Sequence, residues 1–242
     1  MIPWLGPAPV FPPVEHALEN PNGLLAAGGD LSPRRLIAGY QRGIFPWFSA
    51  GDPILWWAPN PRTILFPERM KISRSLGKTL RRGGYTVRLD SDFPAVMAGC
   101  AAPRGAEGGT WITPEMAAAY QRLHQLGFAH SVETWIDGEL AGGLYGVALG
   151  RVFFGESMFS RRTDASKIAL AHLCRFLEAR AFGVIDCQMN TAHLASLGAE
   201  EICREQFVRL LASYTESALH PDYAPGPWPA DGAAHFFADG SR

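Results

Sequence analysis

Hydrophobic and polar residues alternate along the second half of the chain in a pattern that predicts a sheet flanked by helices. The stretch "AHSVETWIDGELAGGLYGVALGRVFFGESMF" has the period of two that strands show, and its Asp137-Gly138 pair is a strong hairpin signal. We predict three consecutive antiparallel strands here. The segment "TPEMAAAYQRLHQLG" predicts a helix capped by Thr113 and ended by Gly127.

The elements that follow complete the order of an α+β domain that starts at about residue 100. "TDASKIALAHLCRFLEARAFG" predicts a helix that packs through Leu170, Leu173, Cys174 and Leu177. "VIDCQ" predicts a strand, "NTAHLASLG" a short helix and "REQFVRLLASYTESAL" a final helix.

The first hundred residues predict shorter elements joined by turns. "DLSPRRLIAGYQRG" is typical of a helix with Ser32 as N-cap, Pro33 at the first helical position and Gly43 as terminator. The tryptophan-rich stretch "IFPWFSAGDPILWWAPNPRTILF" predicts loops and short strands, because its prolines prevent long regular structure.

A further helix in this region combines an apolar face with a basic one. Ile72, Leu76 and Leu80 recur every four residues in "MKISRSLGKTLRRGG", and two glycines end the pattern. The opposite side carries only cations, which we call the basic stripe: Lys71, Arg74, Lys78, Arg81 and Arg82. An exposed helix face is the ordinary explanation, but no acidic residue alternates with these cations. We therefore expect a polyanion such as a phosphate backbone to lie against it.

Polar residues interrupt two of the apolar strands. Strict alternation places Glu156 on one face with Phe154 and Met158, and Asp186 on one face with Gln188. A carboxylate among apolar neighbours is costly unless it has a partner or binds a ligand. A buried structural network is one interpretation. The other is an anionic cleft that positions an amine and takes its proton as a bond forms.

Cys187 offers a competing nucleophile. On a strand its side chain would point away from Asp186 and Gln188, towards the face of Ile185, where a small core residue is the simpler interpretation. His193 could act as its base only if the following short helix folded back.

Composition narrows the class of protein. The 242 residues are 47% hydrophobic and 19% charged, as in a soluble globular protein. No apolar run approaches the roughly 20 residues of a membrane helix, and the N-terminus lacks the pattern of a signal peptide. The four cysteines are scattered without a zinc-binding spacing, which indicates a reduced, cytoplasmic protein without a metal. The net charge of −1 means that any basic surface is local.

Several tryptophans are candidates for a nucleotide site. Trp56 and Trp57 fit a core as well as a binding surface. Trp47 lies in a loop beside a proline, and Trp111 just precedes a helix cap. Indoles at loop edges are suited to stacking on an unpaired base. Together with the basic stripe and the acidic cleft, they suggest a ligand with phosphates, a terminal base and a nearby amine.

A series of motifs resembles the bacterial leucyl/phenylalanyl-tRNA–protein transferases. In chain order these are "LLAAGGDLSP", "YQRGIFPWFS", "DPILWWAPNPR", "GTWIT", "GGLYGVALG", "FFGESMFS", "DASK", "IDCQ" and "HLASLGA". They run from about Asn22 to Ala199, which is most of the chain, and several are long and unusual in composition.

The resemblance implies an activity and a fold. Members move Leu or Phe, and sometimes Met, from tRNA onto proteins that begin with Arg or Lys, which marks those proteins for the N-degron pathway. They use no coenzyme or metal. The implied fold is a small N-terminal domain followed by a domain similar to the GNAT acyltransferases. On this basis we expect residues 1–62 and 63–100 to form the N-terminal domain, 101–220 the catalytic domain and 221–242 an extension. We expect a monomer.

The resemblance also implies roles for individual residues. Asp186 and Gln188 match the catalytic positions, where Asp186 would polarise Gln188 towards the acceptor's α-amino group, and Glu156 would help to hold the cationic acceptor. Positions that would hold the 3′-terminal adenosine, or lie near it, are Trp47, Trp111, Tyr40 and Tyr120. Those of the aminoacyl side-chain pocket are Leu144, Phe153, Met158 and Ile185. Arg81 and Arg82 match a basic pair that would contact the acceptor stem.

One position departs from the family pattern: residue 144 is often Met in the family and is Leu here. This swap conserves volume and loses flexibility, which bears on the balance among Leu, Phe and Met.

Two other functions remain open from the sequence. A GNAT-like acetyltransferase that uses acyl-CoA is disfavoured, because no [QR]-x-x-G-x-[GA] run opens a helix. A non-catalytic tRNA-binding protein would share the basic stripe, but its activity would not change when Asp186 is replaced.

Overall fold

The structure is a computed structural model, described over residues 2–103, 112–219, 225–233 and 236–237. Its strands are β1 (Trp4–Leu5), β2 (Leu24–Gly28), β3 (Phe45–Pro46), β4 (Leu55–Trp57), β5 (Arg62–Leu65), β6 (Thr86–Leu89), β7 (Ala129–Ile136), β8 (Glu139–Leu149), β9 (Val152–Ser160), β10 (Val184–Gln188) and β11 (Glu200–Ile202). Its helices are α1 (Pro33–Tyr40), α2 (Arg74–Arg82), α3 (Phe93–Ala101), α4 (Pro114–Gln125), α5 (Ala165–Glu178), α6 (Ala192–Ser196) and α7 (Arg204–Thr215). Short 3₁₀ turns span Val14–His16, Pro67–Arg69 and Glu216–Leu219.

Over these described residues the strands form two sheets. The small sheet has the order β1-β2-β4-β3, and the large sheet has the order β11-β5-β10-β9-β8-β7-β6. The hairpins from β7 to β9 are antiparallel, as the alternation predicted. β10 runs parallel to β9 and antiparallel to β5, so the returning strand enters the middle of the sheet. The mixture of helices with a mainly antiparallel sheet confirms the α+β class.

The helix caps read from the sequence are present. The Ser32 hydroxyl accepts a hydrogen bond from the backbone N–H of Arg35, and the Thr113 hydroxyl accepts one from that of Met116. Each cap satisfies a backbone donor that the first helical turn would otherwise leave unpaired. These local signals positioned α1 and α4 correctly.

The basic helix is shorter than its apolar repeat suggested. α2 begins at Arg74 after the Ser73 cap, and Leu76 and Leu80 are buried. Ile72 lies before the helix with 40% of its surface exposed, so its predicted place on the buried face is wrong. The Ser73 hydroxyl caps the N-terminus of α2 by accepting a hydrogen bond from the N–H of Leu76, so the helix begins after Ser73 and does not include Ile72.

Residues 63–100, which we expected to complete a small N-terminal domain, contribute strands to the large sheet instead. β5 pairs with β10 and β11, and β6 pairs with β7 at the opposite edge. Both β6 and the apolar helix α3 lack a clear periodic signal, and neither was predicted. The sheet topology thus groups most of this range with the second half of the chain.

The core lies on both faces of the large sheet. Phe153 and Phe154 are neighbours on β9 and point to opposite faces. Phe153 packs with Ile185 and the buried side of α5, whereas Phe154 packs with Tyr40 and Tyr120. The functional site described below lies where these two layers meet.

Residues 225–233, an irregular segment that ends in a turn, are here named the C-terminal strap. The backbone N–H of Trp228 donates to Asp90 Oδ2 at 3.0 Å, and that of Leu89 donates to the Ala230 carbonyl at 3.0 Å. The indole of Trp228 stacks on His130 with 4.0 Å between ring centroids. The strap is therefore packed against the body of the protein.

Candidate active site

A β-bulge in β9 places Glu156 at the junction of the two core layers. Tyr145 of β8 pairs with Ser157 and Gly146 pairs with Gly155, which leaves Glu156 as the extra residue of β9. The bulge reverses the alternation after it. Met158 consequently shares a layer with Phe153, and the strict alternation predicted from the sequence is wrong beyond this point.

Glu156 is held by side chains from three other elements. The hydroxyl of Tyr40 on α1 lies 2.7 Å from Glu156 Oε1, and that of Tyr120 on α4 lies 2.8 Å from Oε2. The amide Nε2 of Gln188 donates to Oε1 at 3.0 Å. Burial raises the pKa of Glu156 to about 7, although the two tyrosine hydrogen bonds oppose this shift. Glu156 and Gln188, which the sequence suggested as partners, are in direct contact.

Asp186 forms a buried ion pair with Arg62. The guanidinium reaches the two carboxylate oxygens through Nε at 2.8 Å and Nη2 at 2.6 Å, and both residues are buried. The rings of Phe45 and Phe207 lie 4.8 Å and 4.7 Å from the guanidinium carbon. Such a paired geometry offsets the cost of burying both charges.

Arg62 was missed from the sequence. Its only signal is a cation at the start of the apolar run "TILF" in "NPRTILF", and that run by itself does not identify a partner.

The Asp186 carboxylate also fixes the backbone of Gln188. Its Oδ1 accepts the Gln188 backbone N–H at 2.9 Å, and the register of β10 against β5 shifts between the two residues. Gln188 has a φ of 63°, a left-handed conformation that is costly for a residue with a side chain. The side-chain amide thereby points to Glu156. The observed contact of Asp186 is with the main chain of Gln188, whereas the resemblance implied a polarising effect on the side chain.

An apolar cavity of about 130 Å³ opens beside these polar groups. The four residues expected to form the aminoacyl pocket all line it, together with Leu170, Leu173, Cys187 and Leu194. Glu156 and Gln188 contribute the polar part of its wall. An apolar cavity of about 150 Å³ can hold a benzene ring. The space is therefore of the size of one aliphatic or aromatic side chain.

Cys187 lies in the cavity wall, on the same side as Ile185, as strand alternation predicted. Burial raises the pKa of its thiol well above the usual range, and the charge of Asp186 adds to this effect. A thiol that stays protonated is a weak nucleophile, which supports a packing role.

The aromatic candidates for the nucleotide site differ in how exposed they are. Trp47 exposes 39% of its surface, and its carbonyl accepts a hydrogen bond from the Trp57 indole at 2.6 Å. Trp111 lies outside the described residues. The rings of Tyr40 and Tyr120 are 1% and 0% exposed and offer no free face to a base in this structure. Their hydroxyls contact Glu156 instead.

The five cations of the basic stripe are all exposed. Over the described ranges none of them lies in an ion pair, although other surface arginines pair with glutamates at i+3 or i−4. The same residues hold no cluster of three or more potential metal ligands. No helix among them has the length and apolar character of a membrane span.

Comparison with known proteins identifies the family. The model described as "Leucyl/phenylalanyl-tRNA protein transferase" matches residues 64–212, and that of the corresponding N-terminal domain matches residues 29–60. A Chromobacterium violaceum protein named leucyl/phenylalanyl-tRNA–protein transferase is 65% identical over 221 residues, covering 91% of this chain and 94% of that protein. An Azoarcus protein of the same name is 61% identical, covering 98% and 99%.

Similar solved structures are distant in sequence. The structure of L-PGS from Bacillus licheniformis has 11% identity and a TM-score of 0.39, covering 69% of this chain and 53% of that one. A GCN5-related N-acetyltransferase from Kribbella flavida has 14% identity and a TM-score of 0.36, covering 69% and 60%.

The family model spans most of the chain, and relatives more than 60% identical match it almost end to end. The resemblance seen in the motifs is thereby confirmed, and the chain belongs to the leucyl/phenylalanyl-tRNA–protein transferases, a family of aminoacyltransferase enzymes.

Proposed function

We propose that this enzyme transfers Leu or Phe, and also Met, from the 3′ end of an aminoacyl-tRNA to the α-amino group of proteins that begin with Arg or Lys. The product would carry a new N-terminal residue that directs it to the N-degron pathway. The observation that carries the proposal is the apolar cavity whose wall includes Gln188 and Glu156. A donor side chain in this cavity would bring its ester carbonyl next to the polar groups.

The transfer forms one amide bond and breaks one ester bond. The free amine attacks the ester carbonyl, the bond to the ribose oxygen breaks, and a proton passes from nitrogen to that oxygen overall. The ester supplies the driving force, so the reaction needs no ATP, metal or coenzyme. The site therefore has to position the amine and move its proton.

Gln188 is suited to positioning the amine. Its Nε2 is committed to Glu156, which orients the side-chain oxygen of the same amide as an acceptor for an amine N–H. Asp186 and Arg62 hold the backbone that carries this amide. We therefore assign Gln188 the contact with the acceptor, and Asp186 the role of fixing its conformation.

The cavity lining explains selection by shape and polarity. Leu144, Phe153, Met158 and Ile185 are apolar, so a polar donor side chain would lose its hydrogen bonds on entry. Side chains that differ by one methylene are separated by only about 1–3 kcal/mol in such a pocket. The pocket would thus accept Leu, Phe and Met while it excludes polar side chains.

The tRNA would approach from the side of the basic stripe. Its exposed cations have no internal counter-charge among the described residues, and phosphates would supply it. Trp47, which is 39% exposed, would stack on the terminal adenine, and Trp111 shares this predicted role. Tyr40 and Tyr120 act through Glu156 in this scheme. A cytoplasmic location and a monomeric state stay predictions.

A transfer assay with defined substrates tests the proposal. Purified protein is incubated with Leu-tRNA or Phe-tRNA and with two peptides that differ only in an N-terminal Arg or Glu. We expect labelled Leu and Phe to join the Arg peptide and not the Glu peptide, as measured by mass spectrometry.

Two variants and two outcomes complete this assay. Gln188→Ala should lower kcat roughly 100-fold, the usual effect of removing one positioned polar group. The matched control Gln125→Ala removes an exposed amide at the end of α4 and should leave kcat unchanged. Equal labelling of both peptides would refute the acceptor specificity. Acetyl transfer from acetyl-CoA without aminoacyl transfer would refute the whole proposal.

A further inference from the structure

Three oxygen-bearing side chains form a closed triangle at the base of the site. The hydroxyls of Tyr40 and Tyr120 lie 2.5 Å apart, and they lie 2.7 Å and 2.8 Å from the two oxygens of Glu156. Every side of this triangle has the length of an O–H···O hydrogen bond. Each side therefore requires one proton.

The proton count sets the state of Glu156. The two tyrosines supply two protons for three oxygen–oxygen contacts. If Glu156 were ionised, one contact would bring lone pairs together at hydrogen-bond distance. A third proton on the carboxyl group completes the triangle, with every hydroxyl donating once around it. The triangle is thus satisfied when Glu156 is a neutral acid.

Burial is the largest influence on the pKa of Glu156, and it favours the same neutral state. Asp186 of β10 is a nearby negative charge that disfavours ionisation of Glu156, whereas Arg62 of β5 favours it. Those two charges are already paired with each other. Gln188 donates one further hydrogen bond to Oε1. Hydrogen bonds from the two tyrosines favour the carboxylate, but burial is the larger effect and raises the pKa of Glu156 to about 7. The pKa values of both tyrosines are raised well above their usual range by burial, so they stay protonated.

We propose that Glu156 enters the reaction as a neutral carboxylic acid and is the general acid that protonates the leaving ribose oxygen. This inference rests on the proposed aminoacyl transfer. It changes the role expected from the sequence, because a neutral acid offers the acceptor a hydrogen bond and no charge. Tyr40 and Tyr120 are positioning residues that act through Glu156.

The proton balance closes over one turnover. The amine attacks the ester carbonyl, and Glu156 gives its proton to the ribose oxygen as the C–O bond breaks. In this interval both tyrosine hydroxyls donate to the carboxylate, and the contact between the two hydroxyls is left without a proton, which favours rapid reprotonation of Glu156. The carboxylate takes the proton that the new amide nitrogen releases. Glu156 returns to its starting form, and the net transfer is from nitrogen to oxygen.

A direct titration tests the resting state without any substrate. Protein labelled with ¹³C at the glutamate carboxyl carbons is followed by NMR from pH 4 to pH 9, and the Glu156 signal is assigned by its loss in Glu156→Gln. We expect a midpoint near pH 7, and a shift of that midpoint in Tyr40→Phe, because the substitution removes two of the three contacts of the triangle. The control Tyr85→Phe removes a hydroxyl that contacts Leu80 and His172, and should leave the midpoint unchanged. A midpoint near 4.3, the usual value for glutamate, would overturn the proton count.

The pH profile of the transfer tests the general acid. In the unmodified enzyme kcat for Leu transfer to an Arg peptide should fall as pH rises through about 7, because the acid form is lost. Glu156→Gln should lower kcat 10²-fold or more and abolish this decline. The decline in Tyr40→Phe should move in the same direction as the NMR midpoint and by the same amount.

The outcomes separate the two proposals. A decline that persists in Glu156→Gln would refute the general acid even if the NMR midpoint is near 7. Absence of any aminoacyl transfer by the unmodified enzyme would refute the proposed function, while the NMR titration would still decide the protonation state.

Discussion

At the residue scale, the Arg62–Asp186 pair decides the conformation of the site. The two residues lie 124 positions apart in the chain, and their bidentate contact is buried between two phenylalanine rings. The same carboxylate fixes the strained backbone of Gln188. One ion pair thereby joins β5 to β10 and orients the amide that we assign to the acceptor amine.

Removing one partner of this pair should be costly. Arg62→Met leaves the Asp186 carboxylate buried without its counter-charge, and we expect the free energy of unfolding to fall by about 3–5 kcal/mol. The double variant Arg62→Met/Asp186→Asn should lose less than the sum of the two single variants, since it leaves no buried charge. Urea denaturation measures all three.

Arg69→Met is the matched control for this cycle. Arg69 also lies over an aromatic ring, Phe66, but it is exposed and its ion pair with Glu68 is a surface pair. The free energy of unfolding of the Arg69→Met variant should differ from that of the unmodified protein by no more than about 0.5 kcal/mol. A loss below about 1 kcal/mol in Arg62→Met would contradict the importance of the pair.

At the scale of elements, the C-terminal strap supports the cavity from behind. The Trp228 indole packs against Phe153, with 5.8 Å between ring centroids, and against Phe176 at 4.6 Å. Phe153 forms part of the cavity wall. The strap lies beyond residue 212, where the match to the family model ends. It can therefore tune the pocket without belonging to the catalytic centre.

Trp228→Ala should change donor preference. Loss of the indole lets Phe153 move away from the cavity, so the pocket widens and Phe-tRNA gains on Leu-tRNA. The ratio of their kcat/KM values should shift several-fold, within the roughly 1–3 kcal/mol that pocket contacts typically contribute. Transfer rates with both tRNAs measure it.

Trp4→Ala provides the comparison, because Trp4 lies in the small sheet and exposes 71% of its surface. It should leave the Phe/Leu ratio unchanged. An unaltered ratio in Trp228→Ala would show that the strap has no effect on the pocket.

At the scale of the whole molecule, charge is distributed unevenly. The net charge is only −1, yet α2 and the residues before it expose a run of cations without acidic partners among the described residues. Interactions with a polyanion would be local and sensitive to salt. The approach of tRNA would thus depend on this one surface.

Arg81→Ala/Arg82→Ala should weaken tRNA binding and flatten its dependence on salt. The slope of log K against log[salt] should fall by about 1 for each phosphate that the variant no longer binds. Transfer from a minimal aminoacyl-adenosine donor should change little, because that donor lacks the acceptor stem. Filter binding at several salt concentrations measures the slope.

Arg175→Ala/Arg209→Ala removes the same charge from arginines that pair with Glu178 and Glu205, and should retain the slope. An equal decrease of activity with the minimal donor would place Arg81 and Arg82 in the catalytic centre.

The sequence by itself determined the features that depend on local chemistry. Caps such as Ser32 and Thr113, the turn at Asp137-Gly138 and the strand alternation before Glu156 follow from interactions within a few residues. The polar interruptions at Glu156, Asp186 and Gln188 were visible for the same reason, since a polar residue in an apolar strand needs a partner. The sequence motifs identified the family.

Only the tertiary structure decided which groups meet. The bulge at Glu156 reverses a strand face, and an alternation rule cannot foresee one extra residue. Arg62, the tyrosine pair and the strap reach the site across long distances in sequence, so no local signal names their partners. The membership of β5 and β6 in the large sheet could not be predicted for the same reason. Their pairing is stabilised by neighbouring strands that lie elsewhere in the chain.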